Sequence, residues 1–231
     1  MLPARSIARL VLLAAAAAAA ACTSSTPLSD LGLLDSALLC CADSRQIPIP
    51  GALRTELRAS LTAASPVFLF SSGRSRAYGF ELPDIAGPWQ VEMRALPMGT
   101  VRKHPSGGLA RAYVFPALLF LDRDRKPLAD EYDDELVAEC LGFNCAYTLV
   151  AAVPVPAAAR YAVLHTLYAR IGDYYTSTPQ TRRADAAHPD QAFIYPGVPR
   201  EVFGQFAALG DVVLSVRKPP PAPASAEGGA R

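Results

Sequence analysis

The chain has 231 residues, of which 22 are basic and 21 acidic, for a formal net charge of +1. So even a balance builds no strong field and argues against steering toward nucleic acid or an anionic surface. Its 21 prolines argue against an architecture of long helices and point instead to many turns.

The N-terminal 21 residues read as a secretory signal. Arg5 and Arg9 form a basic start, Ile7 and Leu10–Ala21 an apolar centre, and Ala19-Ala20-Ala21 leads into Cys22. The apolar run is too short for a membrane span and stops at Thr23-Ser24-Ser25-Thr26. Small residues ahead of a cysteine resemble a bacterial lipobox, with Ala19 where leucine is usual. That resemblance implies cleavage before Cys22 and acylation of both its sulfur and its new amino group. Two or more acyl chains anchor a protein stably. Thr23, where an aspartate is the usual signal for inner-membrane retention, implies the inner leaflet of the outer membrane, facing the periplasm. The alternative is cleavage after an alanine and a soluble periplasmic product. Without the signal, 210 residues remain, with 20 basic and 21 acidic side chains, a length for one all-β domain or two small ones.

Residues 22–37 are expected to form a tether that runs into an apolar patch, Leu31–Leu34 and then Leu38-Leu39-Cys40-Cys41, able to pack on the body as a short helix or an extended arm. Ile47-Pro48-Ile49-Pro50 must be extended, because a residue before proline is pushed out of the α region. Leu53, Leu57 and Leu61 recur every four residues, which predicts a short helix with an apolar stripe. From Ser65 the period becomes two. Val67–Phe70 and Ala77–Leu82 flank a turn, and Trp89–Leu96 alternates, with Trp89, Val91, Met93 and Ala95 inward and Gln90, Glu92 and Arg94 outward.

Ala112–Leu121 is the most apolar run of the mature chain, and Pro116 within it predicts a bulge or an edge. Asp122–Pro127 turns the chain around, and the acidic stretch Asp130–Glu139 is expected to hold a helical turn or two. Tyr147–Val153 and Ala162–Leu167 read as strands. A loop of more than forty residues follows, which is uncommon without local structure or function. Pro199–Leu209 is expected to supply a short helix with Val202, Phe203 and Phe206 as its apolar side. Gly210–Val216 reads as the last strand, and residues 218–231 as a disordered Pro/Ala-rich tail. Seven or eight short strands with few and short helices predict a single β-sandwich-like, all-β domain over residues 38–217.

Four cysteines lie beyond Cys22: Cys40, Cys41, Cys140 and Cys145. An even number in an exported chain reads as disulfides, in any of three connectivities. A Cys140–Cys145 bridge would close a tight loop, leaving adjacent Cys40 and Cys41, whose direct bridge would strain the peptide between them. The rival pairing joins one of those two to Cys140 or Cys145. Neither pair has CxxC spacing, and His104, His165 and His188 form no HxH or HExxH run, so neither a metal nor a cofactor is expected. Ser72 and Ser106 lack a nucleophile-elbow frame, and Asp122/Asp124 lacks the rest of a calcium loop. The carboxylates at Asp130-Glu131 and Asp133–Glu135 read as a solvated face, not a glycosidase pair.

In their order, Ser65–Phe70 with Ser72-Gly73, Phe80–Pro83, Tyr113–Pro116 leading into Leu119–Asp122, Tyr161–Thr166 and Gly210–Val216 resemble the MalM family, the maltose operon periplasmic proteins and their lipoprotein relatives. The resemblance covers about residues 38–217, and the cysteine pairs are additions to it. It implies a periplasm-facing, β-rich, non-enzymatic protein linked to carbohydrate transport or binding. For sugar stacking the residues to watch are Tyr174 and Tyr175, ahead of Thr-Ser-Thr-Pro. The other reading is a structural or assembly partner of an outer-membrane protein, using the Leu31–Cys41 arm and the loop after Leu167.

Overall fold

Strands make up most of the described chain between Gly51 and Arg217. The computed structural model describes residues 27–103, 105–106, 109–140, 147–177, 180–181 and 202–218. The sequence begins there with helix α1 (Pro27–Ser36), followed by β1 (Gly51–Ala52), β2 (Glu56–Leu61), β3 (Val67–Phe70), β4 (Gly73–Glu81), β5 (Gln90–Ala95), β6 (Met98–Lys103) and β7 (Leu109–Val114). Then come β8 (Pro116–Leu121), β9 (Pro127–Tyr132), β10 (Val137–Cys140), β11 (Thr148–Pro154), β12 (Tyr161–Thr166), β13 (Tyr174–Ser177), β14 (Gln180–Thr181), β15 (Val202–Ala207) and β16 (Gly210–Arg217). The fold is all-β and sandwich-like, with sixteen strands among the described residues where seven or eight were expected.

The strands form three sheets. Sheet one has the order β1-β4-β12-β8-β9 with β3 added beside β4; sheet two is β14-β10-β11-β5-β16-β2; sheet three is β13-β15-β7-β6. A shared core draws Phe80, Met93, Phe120, Leu164, Phe206 and Leu214 from all three. The centre of sheet one, β8 and β12, is buried on both faces. In β8, Leu118 and Phe120 enter the shared core, while Leu119 and Leu121 join Ile47, Phe70 and Val163 on the opposite face. Burial on two faces is why this strand is apolar at every position and not alternating. The Pro-flanked stretch 47–50 lies across that outer face so closely that a Cβ on Gly79 would sit 2.3 Å from the Pro48 carbonyl oxygen.

Several sequence expectations are corrected. Leu57 and Leu61 belong to strand β2, which pairs antiparallel with β16, not to a helix. A spacing of four is also a multiple of two, so Leu57, Ala59 and Leu61 share one strand face with Arg58 and Ser60 on the other. The stretch Val202–Ala207 is strand β15, paired parallel with β7 and antiparallel with β13, in place of the expected helix. Phe206 is fully buried and Val202 nearly so. The acidic segment forms the end of β9 and then β10, because its apolar members Leu136 and Ala138 serve the core. Pro116 marks neither a bulge nor an edge. It opens β8, which lies between β12 and β9, and so separates two strands of different sheets. A first position suits a residue without an N–H.

Candidate functional site

The segment expected to be a tether contains α1, and α1 is fixed to the body. Leu34 is buried beside Val67, Ile171 and Ala208. The Tyr168 hydroxyl donates to the Asp35 carboxylate at 2.9 Å, and the Arg74 guanidinium donates to the carbonyls of Asp35 and Ala37 at 2.8 and 2.9 Å. Beyond the helix, Leu39 makes a parallel bridge to Val67, whose carbonyl accepts the Cys40 N–H at 2.7 Å. Cys40 and Cys41 are joined directly by a disulfide. This excludes both from the rival pairing with Cys140 or Cys145. Cys41 packs beside Ile47 and Phe70, so burial on the body orders the ring that the two neighbours close. Cys145 and Cys22 lie outside the described residues, as do His104 and His188.

The arm was expected to pack its leucines on the body, and only some of them do. Leu33 is 60% exposed, Leu38 92% and Leu39 42%, and Leu69 on β3 is 57% exposed. Leu69 stands opposite Arg74, which holds the end of α1, and lies two residues after Val67, which Leu39 bridges and Leu34 packs against, so the four leucines lie on neighbouring segments of one corner.

Tyr174 and Tyr175 are brought to β13, at the edge of sheet three, but adjacent strand residues point to opposite faces. Tyr174 is about half-exposed. Tyr175 packs against the core, 5.8 Å from the Phe206 ring, and its hydroxyl donates to the Leu136 carbonyl at 2.5 Å. Removing that hydroxyl in Tyr175→Phe is expected to lower unfolding free energy by about 1 kcal/mol, read from urea midpoints.

His165 is wholly buried in sheet one. Its Nε2 lies 2.8 Å from Asp130 Oδ1, its Nδ1 lies 3.2 Å from the Thr166 carbonyl oxygen, and the Phe70 ring stacks on it at 3.8 Å. Ser71 donates to the other Asp130 oxygen at 2.5 Å. Burial pushes the Asp130 carboxyl up, but the His165 hydrogen bond and charge, with the Ser71 hydroxyl, outweigh it and hold Asp130 below the usual value. A nucleophile relay needs the serine on a histidine nitrogen. Here the serine is on the aspartate and both ring nitrogens face oxygen acceptors, so the cluster ties the β3–β4 turn, β9 and β12 together. A histidine inside an apolar strand was the visible signal; its partner 35 residues away was not.

Two further charged groupings lie on sheet two. Glu92 has no exposed surface and is engaged by Arg94 at 2.6 Å and by Arg217. At the sheet's end, Arg58 and Ser60 donate to Asp211 at 2.5 and 2.6 Å, and the Arg58 hydrogen bond, with that of Ser60, holds the Asp211 carboxyl below its ordinary value. A cleft of about 720 Å³ opens beside that pair, lined by Leu61, Leu96, Met98, Thr148 and Leu209 among others. No aromatic ring is among its described lining residues. Tyr174, the sequence-predicted stacking residue that stays exposed, is not among the residues that line this cleft.

The geometry therefore defines a class, an all-β body with a pinned N-terminal arm and an exposed leucine corner. Set against family models, curated proteins and solved structures, the chain matches none of them.

Proposed function

We propose that the chain is an exported, lipid-anchored and non-catalytic protein of the cell envelope, facing the periplasm from the outer membrane and associated with carbohydrate binding or transport. The observation that carries this reading is the Cys40–Cys41 disulfide. Such a bond persists in an oxidising compartment, the destination of a chain whose first 22 residues form a signal ending at a cysteine. The absence of catalysis fits how the buried acid–base groups are used. His165 and Asp130 face each other, and Glu92 is taken up by two arginines. Carbohydrate as the ligand class rests on the MalM-like order of sequence motifs and on the exposed Tyr174.

Two measurements test the reading. Labelled palmitate should enter the wild-type protein and be absent from Cys22→Ser. A maltodextrin in hundredfold excess over its dissociation constant should raise Tm by about 5–10 °C, and Tyr174→Ala should remove the rise. A flat response to maltodextrins and other envelope glycans would overturn carbohydrate as the ligand while leaving the anchor to the palmitate result.

A further inference from the structure

We propose that the corner carrying Leu33, Leu38, Leu39 and Leu69 rests on the lipid bilayer, with its leucines in the interface beside the anchor. This inference rests on the anchor at Cys22 proposed above.

Eight large apolar side chains are exposed among the described residues, and four of them are these leucines. Three lie within the seven residues from Leu33 to Leu39, and the fourth is brought to them by the β3–β4 pair. Exposed apolar groups gathered in one place mark a contact surface, whereas scattered ones do not. The chain length selects the contact. From Cys22 to Pro27 there are only five Cα steps, at most about 18 Å even when fully extended. Helix α1 adds about 1.5 Å per residue along its axis. The leucines therefore cannot leave the neighbourhood of a membrane in which Cys22 is held.

The corner is also presented rigidly. Leu34 is buried, Tyr168 holds the Asp35 carboxylate, and Arg74 spans the carbonyls at the end of the helix. These contacts engage the Asp35 carboxylate and the Arg74 guanidinium in holding the helix end to the body. An apolar face joined to acyl chains adds its own transfer free energy to theirs, so the anchor and the face reinforce each other.

The test uses the full chain, processed in cells, purified with its lipid and reconstituted into phosphatidylethanolamine–phosphatidylglycerol vesicles. Trp89 is the sole tryptophan and is buried, so it supplies a constant background. Leu38→Trp places a fluorophore at the most exposed leucine, where substitution disturbs no packing. Ile85→Trp places one beyond Glu81, at the opposite end of β4 from the turn that meets Tyr168. Tryptophan settles readily at a lipid interface. Leu38→Trp should shift its emission to the blue in vesicles and lose intensity when the lipids carry brominated acyl chains, while Ile85→Trp and the wild type should not.

Palmitate label and vesicle flotation without quenching would overturn the seat on lipid and leave the anchor standing. Loss of both label and flotation would overturn the anchor and, with it, this inference. If the Leu38→Trp signal stays unquenched in vesicles but crosslinking from that position captures an outer-membrane protein in whole envelopes, the corner serves a protein and the lipid assignment fails.

Discussion

Replacing Arg94 and Arg217 together by alanine is expected to lower the unfolding free energy by about 3–5 kcal/mol, the usual cost of stranding one member of a buried ion pair. Glu92 has no exposed surface, whereas Arg94 and Arg217 keep 22% and 35% of theirs. Both guanidinium groups leave with the substitutions, whereas the carboxylate stays behind without exposure. The loss therefore belongs to the stranded Glu92. Either single alanine variant should cost clearly less than the double one, because the remaining guanidinium still faces the carboxylate. Adding Glu92→Gln to the double variant should recover much of the loss, since an amide is far cheaper to bury than a charge. Urea unfolding midpoints with an unchanged m-value would place the four variants and the wild type on one scale. A double variant as stable as the wild type would mean that Glu92 reaches solvent.

Glu92 also shows where sequence reading stops. In β5 the alternation of Val91, Met93 and Ala95 against Gln90, Glu92 and Arg94 correctly separates two faces, and the three apolar residues are buried. Alternation says which residues share a face. It does not say what covers that face, and the polar side of β5 is covered at Glu92. The same limit explains β2 and β15. A repeat of four apolar positions fits both a helix and a strand, and only the partners β16 and β7 decide between them. The all-β class was legible because turn residues and prolines recur throughout. The number of strands was not, since short pairings such as β1 with β4 leave almost no pattern in two residues.

The candidate sites divide in the same way. The apolar character of residues 31–41 was visible, but which leucines pack and which remain outside depends on the position of Val67, Ile171 and Ala208. The direct Cys40–Cys41 bridge belongs to one of the three connectivities the sequence left open, the one that local strain alone weighed against. Burial of Cys41 on the body, which no local pattern encodes, accompanies that pairing. Tyr174 and Tyr175 looked equivalent as neighbours, yet strand geometry gives one to the surface and the other to the core.

Acidification should expose the contribution of Asp130. Its carboxyl is held below the ordinary 3.8 in the folded protein, because the His165 and Ser71 contacts outweigh burial. The folded state thus keeps the carboxylate more firmly than the unfolded chain does. The stabilisation is complete above the unfolded pKa and is lost as pH falls through the folded value. Asp130→Ala should cost about 3 kcal/mol at neutral pH, toward the low end for a broken buried pair because Asp130 retains some exposure. Asp130→Asn, which keeps an acceptor near His165 and Ser71, should cost less. Between pH 6 and pH 2 the wild-type stability should fall toward that of Asp130→Asn, with the steepest convergence below about pH 4. Asp211 lies under the same acid-sensitive regime through Arg58 and Ser60, but it is present in both proteins and cancels in the difference. Parallel curves would remove Asp130 from the acid limb. Converging curves would show that β9 is held to β12 by a charge, and that the buried histidine of sheet one is kept in place by its carboxylate.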